Sequence, residues 1–372
     1  MSKSLTNITL ETLFNRYPLL PELPQYHGKW SYDIGVVLQG VKLAYLQTND
    51  SKYLQYIVKT MALYVQDDGR IKNYDYEHFN LDSINNGKLL LFLYQQTKEA
   101  KYRIASDQLF KQLQNMPRTT DGGFWHKKIY PSQMWLDGLY MAEPFYAEYI
   151  TKFRPKEEMT DVVRQFELSY QHTVDTKTGL LYHAWNEDRQ QPWAEQATGH
   201  SPHFWGRAIG WYLMALVDTY EIIATDFPDE AQTLATIFMK TITAVKRYRD
   251  VKRHAWYQVV DEGERPGNYL EASASAMIIY GMAKARRMNI LTRDWQEFID
   301  ESYQGLQDNF VYLTKEGWLN LIRNCAVAGL GGAGQRDGSF VYYISEPIIT
   351  NDFKGYGAFL QATLEMAPLS QE

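Results

Sequence analysis

The chain carries a single cysteine, Cys325, in 372 residues. That excludes an internal disulfide framework and any cysteine-rich metal site. Long apolar runs are missing too. No uncharged stretch approaches the ~18–20 residues needed to cross a bilayer, so a membrane is not an expected partner. The first residues, Met-Ser-Lys-Ser-Leu-Thr-Asn-Ile, lack the apolar core of a secretory signal, and the expectation is a cytoplasmic protein. Basic charge is not in excess. Thirty-eight Lys and Arg stand against 44 Asp and Glu, for a net charge of −6. With no basic run to serve as an electrostatic footprint, nucleic acid is not an expected partner either. Low-complexity segments and Pro/Ser-rich linkers are also missing, which favours one domain spanning 1–372. Aromatic residues, by contrast, are abundant: 28 Tyr, 16 Phe and 10 Trp make 15% of the chain. Most must fill a core, but ring faces also stack on the C–H faces of sugars, so a sugar-binding cleft is an alternative use for some of them.

Helical periodicity runs through the sequence in two forms. Segments 6–16, 51–66, 100–116, 157–173, 228–248 and 291–312 carry one apolar stripe and read as surface helices packed on one side. Segments 31–47, 81–97, 133–150, 204–224, 269–288 and 352–367 are apolar or small around the whole helix and read as buried. The two kinds alternate. From the second surface helix onward, each is followed by a long loop, most of them with a turn glycine and aromatics, such as Asp121-Gly122-Gly123-Phe124-Trp125-His126 and Thr178-Gly179-Leu180-Leu181-Tyr182-His183. The residues after these turns, and after Asp337-Gly338 in the last long loop, are candidates for short strands. The repeat is irregular, roughly 50–75 residues against ~34–47 for open helical solenoids, and no polar capping repeat is visible. A closed all-α ring, an (α/α)6 barrel of inner and outer helices with long loops at one mouth, is therefore favoured.

In such a ring the six inner helices start at the same mouth. Their first turns contribute Tyr32 and Asp33, Asp82, Asp137, Arg207, Glu271, and Asp352 with Lys354. Asp33, Glu271 and Asp352 have a simple alternative role as caps or first-turn acids. Asp137 lies in Gln133-Met134-Trp135-Leu136-Asp137-Gly138-Leu139-Tyr140-Met141, where large apolar neighbours would desolvate a carboxylate. Asp82, from the adjacent inner helix, is the natural second carboxylate, and two close carboxylates would leave one protonated near neutral pH. Such a pair suits general acid–base work on a glycosidic substrate; two solvated helix-start acids are the alternative. In Phe204-Trp205-Gly206-Arg207-Ala208-Ile209-Gly210-Trp211, the residues Phe204, Arg207 and Trp211 share a helical face. A guanidinium beside an indole can clamp a carboxylate and stack a sugar, or it can be half of a buried ion pair among core aromatics. His126, Lys127 and Lys128 add positive charge in the preceding loop. His183 is either a substrate contact or a satisfied loop histidine. His200 and His203 lack a third metal ligand at a recognisable interval. Gly329-Leu330-Gly331-Gly332-Ala333-Gly334 matches a dinucleotide fingerprint in letters, but it has no strand–helix context and reads better as a flap over the mouth.

The Gln133–Met141 and Phe204–Trp211 stretches, together with Tyr342-Tyr343-Ile344-Ser345-Glu346-Pro347, resemble glycoside hydrolase family 105, the unsaturated rhamnogalacturonyl hydrolases, and the related family 88 unsaturated glucuronyl hydrolases. The resemblance runs from about residue 27 to 367. It implies an (α/α)6 barrel and a hydrolase acting on small oligosaccharides that carry a C4=C5 unsaturated uronic acid at the non-reducing end. It implies Asp137 as catalytic acid/base assisted by Asp82. Tyr32, His126, Lys127, His183, Trp205, Arg207 and Trp211 would then line the sugar subsite. The implied chemistry, hydration of a vinyl ether, needs no metal or redox cofactor. A conventional inverting glycosidase, a sugar epimerase and a non-catalytic helical scaffold are the rival readings.

Overall fold

The computed structural model describes residues 4–367 except His27, Ala333 and Gln335. Ala333 of the glycine-rich loop, and the two ends of the expected single domain, lie outside the described residues. Thirteen α-helices occur among them: α1 (Leu5–Arg16), α2 (Tyr32–Thr48), α3 (Ser51–Met61), α4 (Gly87–Thr97), α5 (Ala100–Gln114), α6 (Leu136–Phe153), α7 (Met159–Thr173), α8 (Gly206–Ile223), α9 (Pro228–Lys246), α10 (Ala272–Arg287), α11 (Gln296–Phe310), α12 (Phe340–Ser345) and α13 (Phe353–Met366). Helices α2, α4, α6, α8, α10 and α13 pack in that order around a ring, and α13 returns to α2. Outside it, α3 lies on α2, α5 on α4, α7 on α6, α9 on α8, α11 on α10 and α1 on α13. This is the (α/α)6 barrel.

The residue pattern dictates which helices go where. In α3, Tyr53, Tyr56, Ile57 and Thr60 are buried while Lys52, Gln55 and Lys59 face outward. That single stripe can satisfy only one packing partner. In α8 every residue from Gly206 to Val217 is buried. Such a helix needs neighbours on both sides and a partner behind it, which only the inner ring provides. Helix α8 approaches α10 closely at Gly210, where a Cβ would lie 2.7 Å from the Cβ of Met277.

Each long loop runs from the end of an outer helix to the start of the next inner one, so the loops gather at one mouth. Short antiparallel pairs stiffen them. Strand β1 (Gln133–Trp135) pairs with β2 (Ala184–Asn186), with Trp135 opposite Ala184. Strand β3 (Val311–Leu313) pairs with β4 (Leu319–Leu321), and β5 (Asn324–Cys325) with β6 (Ile348–Ile349). Single bridges Val65–Ile71, Arg118–Phe124 and Val174–Leu181 close hairpins after α3, α5 and α7.

The predicted segments shift in several places: the helix of segment 51–66 ends at Met61, before the Val65–Ile71 bridge. Segment 81–97 divides into a 3-10 turn, Leu81–Ile84, and α4, because the side chains of Asn85 and Asn86 between them donate to the carbonyls of Tyr32 and Ser31 at 3.0 and 3.1 Å. Asp82 therefore sits on a 3-10 turn rather than in the inner helix. Segment 133–150 begins as β1, drawn into extended backbone by β2. Segment 291–312 opens with a 3-10 turn, Arg293–Trp295, and ends in β3. The unit after Asp337-Gly338 forms helix α12 instead of a strand, capped by Ser339, whose hydroxyl accepts from the Tyr342 N–H at 3.1 Å.

Gly210→Ala is expected to destabilise the barrel by about 1–3 kcal/mol through overpacking against Met277, even though alanine is the better helix former by ~1 kcal/mol. A lowered denaturant midpoint with unchanged slope checks this.

Candidate active site

Asp137 enters the mouth from the first turn of α6, directly after β1. Its side chain is 14% exposed, and Oδ2 lies 3.3 Å from Nε2 of His183. His183 is fully buried in front of β2, and its Nδ1 lies 2.8 Å from the Tyr343 hydroxyl of α12. Neither Asp137 Oδ2 nor His183 Nε2 has a well-aligned hydrogen bond. When the Tyr343 O–H donates to Nδ1, the remaining imidazole hydrogen is on Nε2, facing the carboxylate. Gly138 follows because a Cβ there would lie 2.8 Å from Leu81 Cδ1 and 3.2 Å from His126 Nδ1, so a side chain would push the neighbouring segments away from the acid.

Asp82 has different company. Lys127 Nζ lies 2.6 Å from its Oδ2 and His126 Nε2 3.6 Å from its Oδ1. Burial works to raise the Asp82 pKa, but Lys127 and then His126 outweigh it and hold the carboxyl below its ordinary range. The expectation that two close acids would share a proton is corrected for Asp82: it is an ionised carboxylate paired with an ammonium. Burial pushes His126 down to about 4, against the pull of Asp82, so its imidazole is neutral near pH 7. The acid that proximity and burial do raise is Asp33. Burial comes first and Asp352 adds to it, while Lys354 opposes from 3.3 Å. Glu271 and Asp352 are caps, accepting from the N–H groups of Ala274 at 2.6 Å and Lys354 at 3.0 Å.

The aromatic groups form two surfaces. His126, Trp135 and Tyr130 form a cluster of parallel rings: His126 and Tyr130 lie 4.7 and 5.0 Å from Trp135 and 6.4 Å from each other, with planes within 10°. Behind the mouth, Trp211 stacks on Tyr140 at 4.6 Å, and the half-buried Tyr32 meets Trp211 edge-on at 6.5 Å. Burial, then the carboxylates of Asp33, Asp82 and Asp137, push the Tyr32 phenol well above its ordinary value, with Arg207 opposing. One phenol thus sits in the field of all these groups. Trp205 is buried, donating from Nε1 to Gln258 at 3.1 Å, with His183 against its ring at 4.7 Å.

Of the two readings of Arg207, the contacts present are those of a buried ion pair. The side chain is 1% exposed. Its Nε donates to Ser273 Oγ at 2.7 Å, a terminal nitrogen donates to the Cys325 carbonyl, and Glu271 lies 3.5 Å away. The guanidinium thus has protein partners on Nε and on one terminal nitrogen.

Tyr343, Trp135, Tyr130 and Arg336 were not among the predicted site residues. Tyr343 and Trp135 stand inside recognised motifs, but their apolar neighbours make them look like core. Arg336 belongs to the glycine-rich flap, where it donates to the Gly331 carbonyl at 2.9 Å and to the Tyr130 hydroxyl at 3.1 Å. His203 pairs with Glu262 at 2.7 Å and His200 stacks on Tyr182 at 4.5 Å. Among the described residues no group of three or more His, Cys, Asp or Glu could hold a metal ion, and no helix is long and apolar enough to cross a membrane.

Residues 13–370 match the sequence profile of Glycosyl Hydrolase Family 88. A solved glycoside hydrolase from family 105 of C. acetobutylicum ATCC 824 is 44% identical, with a TM-score of 0.94 over 99% of this chain and 100% of that one. The unsaturated rhamnogalacturonyl hydrolase YesR of Bacillus subtilis (strain 168) is 26% identical over 70% of this chain and 72% of its own. The unsaturated glucuronyl hydrolase of Bacillus sp. GL1 shares the fold, with a TM-score of 0.61 at 16% identity over 90% of this chain and 86% of that one.

Two stability outcomes follow. Arg207→Ala leaves Glu271 buried and unpaired and is expected to cost about 3–5 kcal/mol, seen in chemical denaturation. His126, neutral when folded, titrates in the unfolded chain near 6.5. The unfolded state therefore binds more protons between about pH 4 and 6.5, and folding stability contributed by this residue falls as pH drops through that window, by up to roughly 3 kcal/mol. A His126→Gln variant should show a correspondingly flatter stability profile between those pH values; parallel profiles would contradict the assignment.

Proposed function

The chain belongs with the family 88 and family 105 glycoside hydrolases, and we propose that it removes a C4=C5 unsaturated uronic acid from the non-reducing end of lyase-generated oligosaccharides, the following sugar being rhamnose. The observation that carries this reading is the Asp137 carboxyl at the mouth, facing the His183 imidazole at 3.3 Å rather than a cation. YesR, by its name an unsaturated rhamnogalacturonyl hydrolase, supports the substrate.

The substrate is a vinyl ether, so its reactive carbon is C4. Asp137 gives a proton to C4, and positive charge appears at C5, shared with the ring oxygen. The ionised Asp137 then takes a proton from water as its oxygen bonds to C5. The C5 hemiketal opens to a ketone. The freed C1 hemiacetal then collapses to an aldehyde and releases the neighbouring sugar as an alcohol. One water is consumed and the carboxyl ends as it began. Positioned proton transfer of this kind contributes roughly 10²–10⁴ in rate.

The other residues have distinct tasks in this scheme. His183, fixed by Tyr343, orients the Asp137 carboxyl and supports its ionised form between the two steps. Asp82, already ionised and held by Lys127, supplies the negative field that favours charge at C5. The half-buried rings of Tyr130 and Tyr32 face the sugar, backed by the buried His126 and Trp135 on one side and Trp211 on the other. Trp205 and Arg207 act through others: Trp205 backs His183, and Arg207 holds Glu271 and the Cys325 backbone.

Unsaturated galacturonyl-rhamnose should lose its ultraviolet double-bond absorbance on incubation, whereas the saturated disaccharide stays intact. Equal cleavage of both would establish a conventional glycosidase instead. Asp137→Asn is expected to lose at least ~10²-fold in kcat with substrate affinity retained. Tyr343→Phe removes one hydrogen bond behind His183 and should lower kcat about 5–10-fold while leaving KM nearly unchanged.

A further inference from the structure

At the end away from the catalytic mouth the inner ring opens onto a second space, lined by charged and apolar side chains together. It is a cavity of about 190 Å³ to which all six inner helices contribute, among them Gln39 and Lys42 of α2, Lys88 of α4, Asp218 of α8, Lys284 of α10 and Gln361 of α13. The proposed hydrolysis uses none of these side chains.

Most of the charges here are mutually satisfied. Lys284 Nζ lies 2.6 Å from Asp218 and 2.8 Å from Glu221, and Glu221 also pairs with Arg287 at 2.8 Å. Glu148 has Lys152 at 3.5 Å. Two lysines are exceptions, and Lys88 is the buried one. It is 4% exposed, donates to the Tyr140 carbonyl at 3.1 Å, and lies 3.7 Å from the Tyr140 ring centroid. Among the described residues no carboxylate comes within ion-pair distance, 4.0 Å, of its amine. An ammonium has three hydrogens to place, and one carbonyl and one ring face account for two. Lys42, on the same cavity wall, lies 5.5 Å from the Phe92 ring centroid and likewise has no carboxylate partner. A buried cation that faces a cavity without a counter-charge is costly unless an anion completes it.

We propose that this cavity is a second binding site, for a small oxyanion of the phosphate or carboxylate type, anchored on the buried Lys88 amine with Lys42 at its rim. The acidic groups of the cavity oppose such a ligand little, because each already has its own cation. Burial lowers Lys88 to about 7. The groups that act on it come from every neighbour: Asp218 of α8 raises it, Lys42 of α2 and Lys284 of α10 lower it, and Glu148 of α6 raises it. Tyr280, Glu221 and Gln361 also line the wall, with the apolar Leu43, Leu46 and Ile222. An anion seated beside the amine would favour its charged form, so binding above pH 7 takes up a proton.

Calorimetric titration of the intact protein with inorganic phosphate, and separately with succinate, tests this at about pH 6 and about pH 9, either side of the Lys88 value of about 7. Binding of at least one probe at the lower pH, weakened at the higher, is expected, and the stronger probe identifies which oxyanion the site takes. Titrations near pH 8 in buffers of different ionisation enthalpy should reveal proton uptake on binding. Lys88→Met should weaken affinity about 10–100-fold, and Lys42→Met by up to about 5-fold. No binding of either probe, or unchanged affinity in Lys88→Met, would overturn the proposal. Should Lys88→Met fail to fold, proton uptake by the wild type together with the Lys42→Met loss carries the test, and the absence of both refutes the site.

Discussion

Closure of the inner ring is the constraint on which the molecule depends. Helix α13 must return to α2 after more than three hundred residues, and the seam is held by specific contacts. Gln361 donates to the Val36 carbonyl at 3.1 Å, the Tyr356 hydroxyl donates to the Thr9 carbonyl of α1 at 2.7 Å, and Lys354 reaches Asp33. A closed ring of helices running the same way collects six positive dipole ends at one mouth. Acidic side chains are stabilised there whether or not they do chemistry. The site has thus grown within a field that the architecture supplies.

The two acids of the mouth differ because of what the loops bring to them. The loop after α5 delivers Lys127 and His126 to Asp82, and the loop after α7 delivers His183 to Asp137. An ammonium fixes a charge, whereas an imidazole can either donate or accept a hydrogen. Division of labour between carboxylates of similar position follows from those partners.

The alternation of inner and outer helices was legible because burial on all faces and burial on one face leave different residue patterns. Segment starts at 81 and 133 were misread because the polar residues there resemble a helical first turn, and only Asn85, Asn86 and the pairing of β1 with β2 distinguish them. Arg207 shows the limit of periodicity. The shared face of Phe204, Arg207 and Trp211 is readable, but Glu271, which decides what the guanidinium does, lies on another helix 64 residues later. Tyr343 was hidden for a different reason: a phenol that positions an imidazole has the same letter as one that fills a core, and its partner is 160 residues away.

The short β1–β2 ribbon acts as a gauge between two loops. Trp135 faces Ala184, and the Leu136 N–H donates to the His183 carbonyl at 3.1 Å. Main-chain pairing therefore sets the spacing between acid and imidazole, with little dependence on nearby loop side chains. Changes of length beyond Asn186 would reshape the surroundings of the mouth while this main-chain gauge stays in register.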